Sequence, residues 1–246
     1  MKTDHRLNKL EKKIELLFSK KTNAIGFGKS SIDEKKRKLL LFIESNSITN
    51  DHSNTIDGII LTNFEPTKLK KIKDDRIIGL KYPDKVLDIN DLNKSNYDFV
   101  IIDDQKLDYK YLDNDSKTIF QINENISDDD ADIISSFDFP LLYIETTKNL
   151  NFKEIESFFN LGKITSKFST NYILKINTYL DKDQIQILFN LGVIGLVLDS
   201  QISEKKIINK FNDNLVNLNT DKKKSNSVPD LSSNLSSSPI EDDFDD

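Results

Sequence analysis

The chain has 246 residues, a formal net charge of −6 and an isoelectric point near 5.1. That balance argues against a general binder of nucleic acid or of an anionic membrane. There is no cysteine, which removes disulfides, thiolate catalysis and Cys-zinc sites together.

No apolar run approaches the ~18 residues needed to span a bilayer. The first residues, MKTDHRLNKLEKK, lack the apolar core of a signal peptide, so a cytoplasmic protein is expected. The two histidines are His5, near the start of a predicted surface helix, and His52, in a polar loop. Both are expected to be solvated. Metal chemistry built on several histidines is thereby excluded, as is a Ser-His-Asp triad centred on strand ends.

In chain order, residues 5–20 read as an amphipathic helix. Leu7, Leu10, Ile14 and Leu17 repeat at spacings of three and four and so share one face. A lid over the floor of a barrel is one reading of this helix, and a helix that pairs two copies into a homo-oligomer is the other. NAIGFG (23–28) suits a short extra strand or a strap. The expected organisation is an N-terminal helix and strap over 1–30, a barrel over 31–218 and a tail over 219–246.

Eight short apolar runs follow, at 38–45, 58–63, 76–81, 98–104, 118–123, 141–146, 172–177 and 194–200. Each has the length and the Ile/Leu/Val/Phe content of a strand buried on both faces. Helix-like segments separate several of them. Eight such units predict an α/β fold, an abbreviated (β/α)8 TIM-like barrel.

Helix signals are clear in the second half. Ser127, Asn151, Asp181 and Ser203 each precede a helical run as capping residues, and Gly162 and Gly192 stand where two of the runs should stop. In the first half, 65–73 and 87–95 allow only short helices. Residues 46–56 and 105–117 show no helical period, so two connections should be loops or single turns. From Asn219 onward Ser, Asn and Asp dominate, which predicts a disordered, acidic, solubilising tail.

Strand side chains alternate, so their phase can be assigned. In YILKIN, Tyr172, Leu174 and Ile176 form a wholly apolar set that must meet the outer helices, which turns Lys175 and Asn177 to the axis. The same logic turns Ile101 and Asp103, Gln121 and Asn123, Tyr143 and Glu145, and Val197 and Asp199 inward. Glu44, Asn63, Lys81, Asp103, Asn123, Glu145, Asn177 and Asp199 then ring the C-terminal mouth, with Lys175 and Gln121 one layer below. Any barrel has polar strand ends where water reaches the mouth. Together, though, Glu44, Asp103, Glu145, Asp199 and Lys175 form a set with chemical scope.

Carboxylates without histidine suit a hard cation such as Mg²⁺, with Asp103, Glu145 and Asp199 as the candidate ligands. Such an ion would polarise a carbonyl or enolate oxygen. Lys175, in a partly apolar interior, is the candidate catalytic residue: with a lowered pKa it would act as a base or form a Schiff base. Its alternative is an ion pair with Glu145 on the neighbouring strand. The loops after the seventh and eighth strands, NTYLDKDQ and DSQISEKK, contain no glycine. Backbone amides would not easily converge on a phosphate there, which argues against FMN and phosphosugar ligands.

The segment ILKINTYLDKDQIQILFNLGVIGLVLDS resembles the strand seven–helix–strand eight quarter of (β/α)8 proteins. With YDFVIIDD and PLLYIET, the chain also looks like a bacterial family of small, abbreviated barrel-like proteins with no established activity. The resemblance implies a barrel and assigns no catalytic residue. Two functions remain open. One is a non-catalytic or degenerate binding or scaffold module. The other is a Mg-dependent carbon–carbon lyase or aldolase acting on a small keto-acid.

Overall fold

The computed structural model describes residues 9–18, 37–48, 55–62, 75–81, 96–103, 109–112, 117–137, 139–145, 151–216 and 218. The strap at 23–28, the segments 65–73 and 87–95, the tail, His5, His52 and Asn63 lie outside them.

Eight parallel strands close into a barrel in sequence order. They are β1 (Leu40–Ser45), β2 (Gly58–Leu61), β3 (Ile77–Lys81), β4 (Phe99–Ile102), β5 (Thr118–Ile122), β6 (Leu141–Ile144), β7 (Asn171–Ile176) and β8 (Val193–Leu198). β1 pairs with β8 from Leu40↔Gly195 to Ile43↔Leu198, which shuts the ring. Among the described residues the helices are α1 (Lys9–Phe18), α2 (Asp128–Ser135), α3 (Ile155–Thr165), α4 (Lys182–Asn190) and α5 (Lys205–Val216).

Strand phase divides the apolar residues into two clusters. Leu41, Ile43, Leu142, Ile144, Leu174 and Leu196 face outward, beneath Leu161, Leu188 and Phe211 of the helices. Leu40, Phe42, Phe99, Ile101, Tyr143, Ile173 and Val197 face the axis. Phe42 and Phe99 meet edge to face, with ring centroids 6.1 Å apart at 89°. They fit because a glycine is the register partner of each on the neighbouring strand, Gly58 beside Phe42 and Gly79 beside Phe99. A Cβ on Gly58 would lie 2.7 Å from the Phe42 ring and 2.6 Å from the Ile77 carbonyl oxygen, and one on Gly79 would enter the Phe99 ring.

Helix α1 caps the base. Leu10, Ile14 and Leu17 pack against the inner cluster. The Lys13 ammonium pairs with Asp57 at 3.2 Å, and the Lys9 ammonium donates to the Arg76 carbonyl at 3.1 Å. Asp57 and Asp98 are buried just before β2 and β4. Each accepts the backbone amide of a residue in the preceding strand, Leu41 at 3.0 Å and Ile78 at 2.8 Å. These bonds satisfy donors at the strand starts that burial would otherwise leave costly. Where the ring closes, Arg37 donates to Asn212 of α5 at 2.8 Å and to the Thr55 carbonyl at 3.0 Å.

The caps expected from the sequence are met in part. Ser127 accepts the Asp130 amide at 3.0 Å ahead of α2. Asp181 and Gln184 form a capping box at α4, and Gly192 takes the positive φ of +89° that ends that helix. Two signals misled. Gly162 does not stop α3, which runs on to Thr165. A helical glycine is only disfavoured, and the flanking Leu161 and Ile164 are buried on the barrel. Asn151 does not cap α3 either. It opens a turn in which its carbonyl accepts the Glu154 amide at 2.8 Å, and the helix starts at Ile155. Ser203 stands two residues before the start of α5 at Lys205. Within 105–117, the described residues hold a single 3-10 turn, Tyr109–Leu112.

The two kinds of glycine should separate in urea unfolding. Gly58→Ala should lose about 1–3 kcal/mol, since the added methyl meets a backbone carbonyl that cannot swing aside. Gly162→Ala has its nearest neighbour, Leu191 Cδ2, at 3.7 Å and should be neutral or gain up to ~1 kcal/mol. Asp181→Ala, which removes the capping box, should lose about 1 kcal/mol.

Candidate functional site

The C-terminal mouth is built from residues two positions past the last inward-facing core residue of each strand. On β7, Ile173 belongs to the inner cluster, and Lys175 follows on the same face. On β6, Tyr143 faces in and Glu145 follows directly beyond the strand end. On β1, Phe42 faces in and Glu44 follows. Asp199 stands directly after β8, and Lys81 ends β3.

Ring closure converts these positions into one cluster. The Lys175 ammonium lies 2.5 Å from Glu44 Oε2, 2.9 Å from Glu145 Oε1 and 3.6 Å from Asp199 Oδ2. The other oxygen of Glu145 pairs with the Lys81 ammonium from across the ring. Charged contacts thus join β1, β3, β6, β7 and β8. Asp199 also serves the local backbone. Its Oδ1 accepts the Gln201 amide at 3.0 Å and caps the 3-10 turn Ser200–Ile202.

The expectation of a lowered lysine pKa is corrected. Burial of the Lys175 ammonium acts to lower its pKa and is the largest single influence. Hydrogen bonds and charge from Glu44 and Glu145 together outweigh it, so the pKa rises above the ordinary lysine value. An ammonium held charged in this way has no lone pair for a Schiff base. The carboxylates shift in the complementary sense. Burial pushes Glu145 up, but its bonds to Lys81 and Lys175 win and hold it low. Burial likewise opposes the Gln201 amide and Lys175 at Asp199, and there too the net direction is down.

Of the three candidate metal ligands, Glu145 and Asp199 come together at Lys175, while Asp103 stands exposed beyond the end of β4. No ion pair joins Asp103 to the cluster among the described residues. Glu44 takes the third place instead. In a ring of eight, β1 is two strands from β7 through β8, whereas β4 is three strands away. Among the described residues, no three Asp, Glu, His or Cys side chains converge where a metal ion could be held. The carboxylate oxygens point at an ammonium, so the donor set does not fit Mg²⁺. Of the remaining mouth residues, Asn123 folds back to accept the Asn125 amide at 3.0 Å, and Asn177 is exposed.

Below the charges lies a feature that strand phase located without giving it a role. Tyr143 is fully buried and its hydroxyl has no hydrogen-bond partner among the described residues. Gln121 Oε1 on β5 is likewise buried and unpartnered. The two residues are register partners on adjacent strands. Burial first, then the carboxylates of Glu145, Glu44 and Asp199, push the Tyr143 hydroxyl well above its ordinary pKa, so it stays protonated.

The linked titrations fix a pH window. Glu145 and Asp199 have depressed folded-state values, so their contribution is full above the ordinary carboxylate range and fades as acid protonates them. Lys175 is raised, so its contribution is full below the ordinary lysine value of 10.5 and is lost as alkali deprotonates it. Lys175→Met should reverse the acid side. With the ammonium gone, the Glu44 and Asp199 carboxylates repel each other, so as pH falls from 7 toward 3 the variant should first gain stability, while wild type should stay level down to about 4.5 and lose stability below it. Its deficit at neutral pH should stay below the ~3–5 kcal/mol of fully buried pairs, because the mouth is part-exposed. Urea unfolding across that range reads both slopes.

No protein-family model matches the chain, and no curated protein sequence matches it. Similarity is found with solved structures. A mutant tryptophan synthase alpha-subunit from the hyperthermophile Pyrococcus furiosus superposes with a TM-score of 0.52 at 12% identity, covering 74% of this chain and 97% of that one. A second mutant of that subunit gives 0.51 at 12% identity, covering 73% and 94%. A thiamine phosphate pyrophosphorylase from Pyrococcus furiosus gives 0.47 at 13% identity, covering 73% and 94%. At such identities the likeness is one of fold alone, and by fold this chain is a (β/α)8 TIM barrel.

Proposed function

We propose that this barrel is a non-catalytic, degenerate form of an enzyme fold that serves as a binding or scaffold module. One observation carries the reading: the amine that would be the nucleophile or base is ion-paired to three carboxylates of its own chain. The same contacts occupy the carboxylates that would otherwise serve a cation. The structural neighbours are enzymes by name. A barrel fold hosts many functions, however, and decides none of them.

The competing function is a Mg-dependent lyase or aldolase acting on a small keto-acid. It needs either a neutral Lys175 or convergent, unpaired carboxylates. The strong pairing at the mouth supports neither condition.

Calorimetry and imine trapping separate the two. The full chain is scanned in EDTA and then in millimolar Mg²⁺ or Mn²⁺. It is also incubated with pyruvate and borohydride and weighed by mass spectrometry. The module reading expects unchanged melting and no covalent adduct. Stabilisation approaching ~2.7 kcal/mol at a hundredfold excess over the dissociation constant, abolished by Glu145→Gln, would establish a cation site instead. A reduced adduct on Lys175 would establish the amine as a nucleophile.

A further inference from the structure

The outer wall of the barrel carries an exposed apolar face. Ile155 and Phe159, one turn apart on α3, are 71% and 68% exposed. Among the described residues, only Tyr109 of the large apolar side chains is more exposed. The opposite side of α3 is held by the barrel, where Ser157, Leu161, Ile164 and Thr165 are buried. α3 lies between α2 and α4 and is tied to both. Lys167, just beyond its end, pairs with Asp128 of α2 at 2.7 Å, and Gln184 of α4 donates to the Phe152 carbonyl at 2.9 Å. Each flanking helix exposes an isoleucine of its own, Ile133 on α2 and Ile187 on α4. Clustered exposed apolar side chains mark interaction surfaces. The repeating stripe of α1, by contrast, is already packed: Leu10, Ile14 and Leu17 lie on the inner cluster.

We infer that this face binds a second copy of the chain, with α3 packed antiparallel on its counterpart about a two-fold axis at Phe159. The face is complementary to itself in charge and in shape. At 3.6 residues per turn, Glu156 and Lys163 lie on one side of Phe159, and Ile155 and Gly162 lie on the other. Glu156 stands three residues before Phe159 and Lys163 four after it. That sets them ~10 Å apart along one helix, too far to pair with each other. Neither has an ion-pair partner among the described residues. A two-fold axis across α3 reverses the helix direction and keeps the sides. Each Lys163 then meets the Glu156 of the second copy, so opposite charges meet twice. On the other side, each Ile155 meets the second copy's Gly162, which brings no side chain to the contact. The two Phe159 rings meet at the axis. A parallel pairing would set like charges at the same level. The net charge of −6 disfavours an anionic membrane as the occupant.

An isologous contact of this kind closes on itself, so assembly stops at the dimer. One helix face with two flanking isoleucines is smaller than the ~800 Å² per partner of a standard interface. The dimer is therefore reversible, with a dissociation constant in the micromolar range or above. Self-association of the outer wall goes beyond the reading of the mouth, and neither a cation effect nor an imine there bears on it.

Sedimentation velocity of the whole chain, from micromolar to millimolar concentration, should show a monomer–dimer equilibrium and no larger species. Phe159→Asp should weaken the dimer at least tenfold, because a central aromatic anchor carries a large share of interface energy. Its melting temperature at high dilution should not fall, since the ring is exposed. Glu156→Lys and Lys163→Glu should each weaken the dimer severalfold, because like charges then meet twice. Combining the two substitutions should restore it. Four results would overturn the dimer. They are a monomer at every concentration, which leaves the face to a different protein; species beyond the dimer, which means a head-to-tail contact; a full-strength dimer in Phe159→Asp, which means that another surface pairs; or a double charge variant no better than the single ones, which means that α3 does not meet its own copy antiparallel. If Phe159→Asp does not fold, the charge variants decide alone.

Discussion

The cross-section of a closed eight-stranded barrel is narrow, and its filling governs everything above it. Two phenylalanine rings, Phe42 and Phe99, occupy the middle of this barrel. They do so only because Gly58, Gly79 and Gly195 withhold side chains on the neighbouring strands. Side chains here are packed as tightly as in any protein interior, where added volume is destabilising. The rings form a dry floor. Lys175, with its four-carbon stem, rises from just above that floor, and its ammonium reaches the level where carboxylates and water begin. α1 closes the other end with Leu10, so the axis is apolar from the base to the level of Tyr143.

Much of this was legible in the residue pattern, and the reason is geometric. A strand between helices and a barrel axis cannot place polar groups against the helices. The wholly apolar phase of YILKIN therefore had to face out, and it does so at Tyr172, Leu174 and Ile176. The same test oriented Tyr143 and Val197 correctly. What periodicity could not supply was angular position around the ring. Asp103 and Glu44 look equivalent as inward residues at strand ends, yet only Glu44 is near Lys175, because β1 returns to β8. The pKa of Lys175 failed for a related reason. Burial alone lowers it, but the nearby carboxylates, set by that same closure, reverse the sign.

Local signals had their own limits. Asp181 with Gln184 read correctly as a cap because two reciprocal bonds define it. A single Asn or Gly is weaker. Asn151 spent its carbonyl on a turn, and Gly162 was carried through α3 by the burial of its neighbours. The five inward glycines and phenylalanines were present in the sequence too. They carry no period, however, and their complementarity appears only when strands β1 to β4 and β8 are set side by side.

The seam between β1 and β8 has a consequence for the order in which the chain can assemble. Arg37 bonds to Asn212 across 175 residues of sequence, and Lys38 donates its amide to the Leu215 carbonyl. On a ribosome, β1 emerges early and must wait for nearly the whole barrel before its second edge is covered. An uncovered strand edge is a template for pairing with other chains, and contacts of such long range form late. The nascent protein therefore carries an open edge on β1 until β8 is made, and α5, bonded to Arg37 and Lys38, acts as the latch over the closed seam.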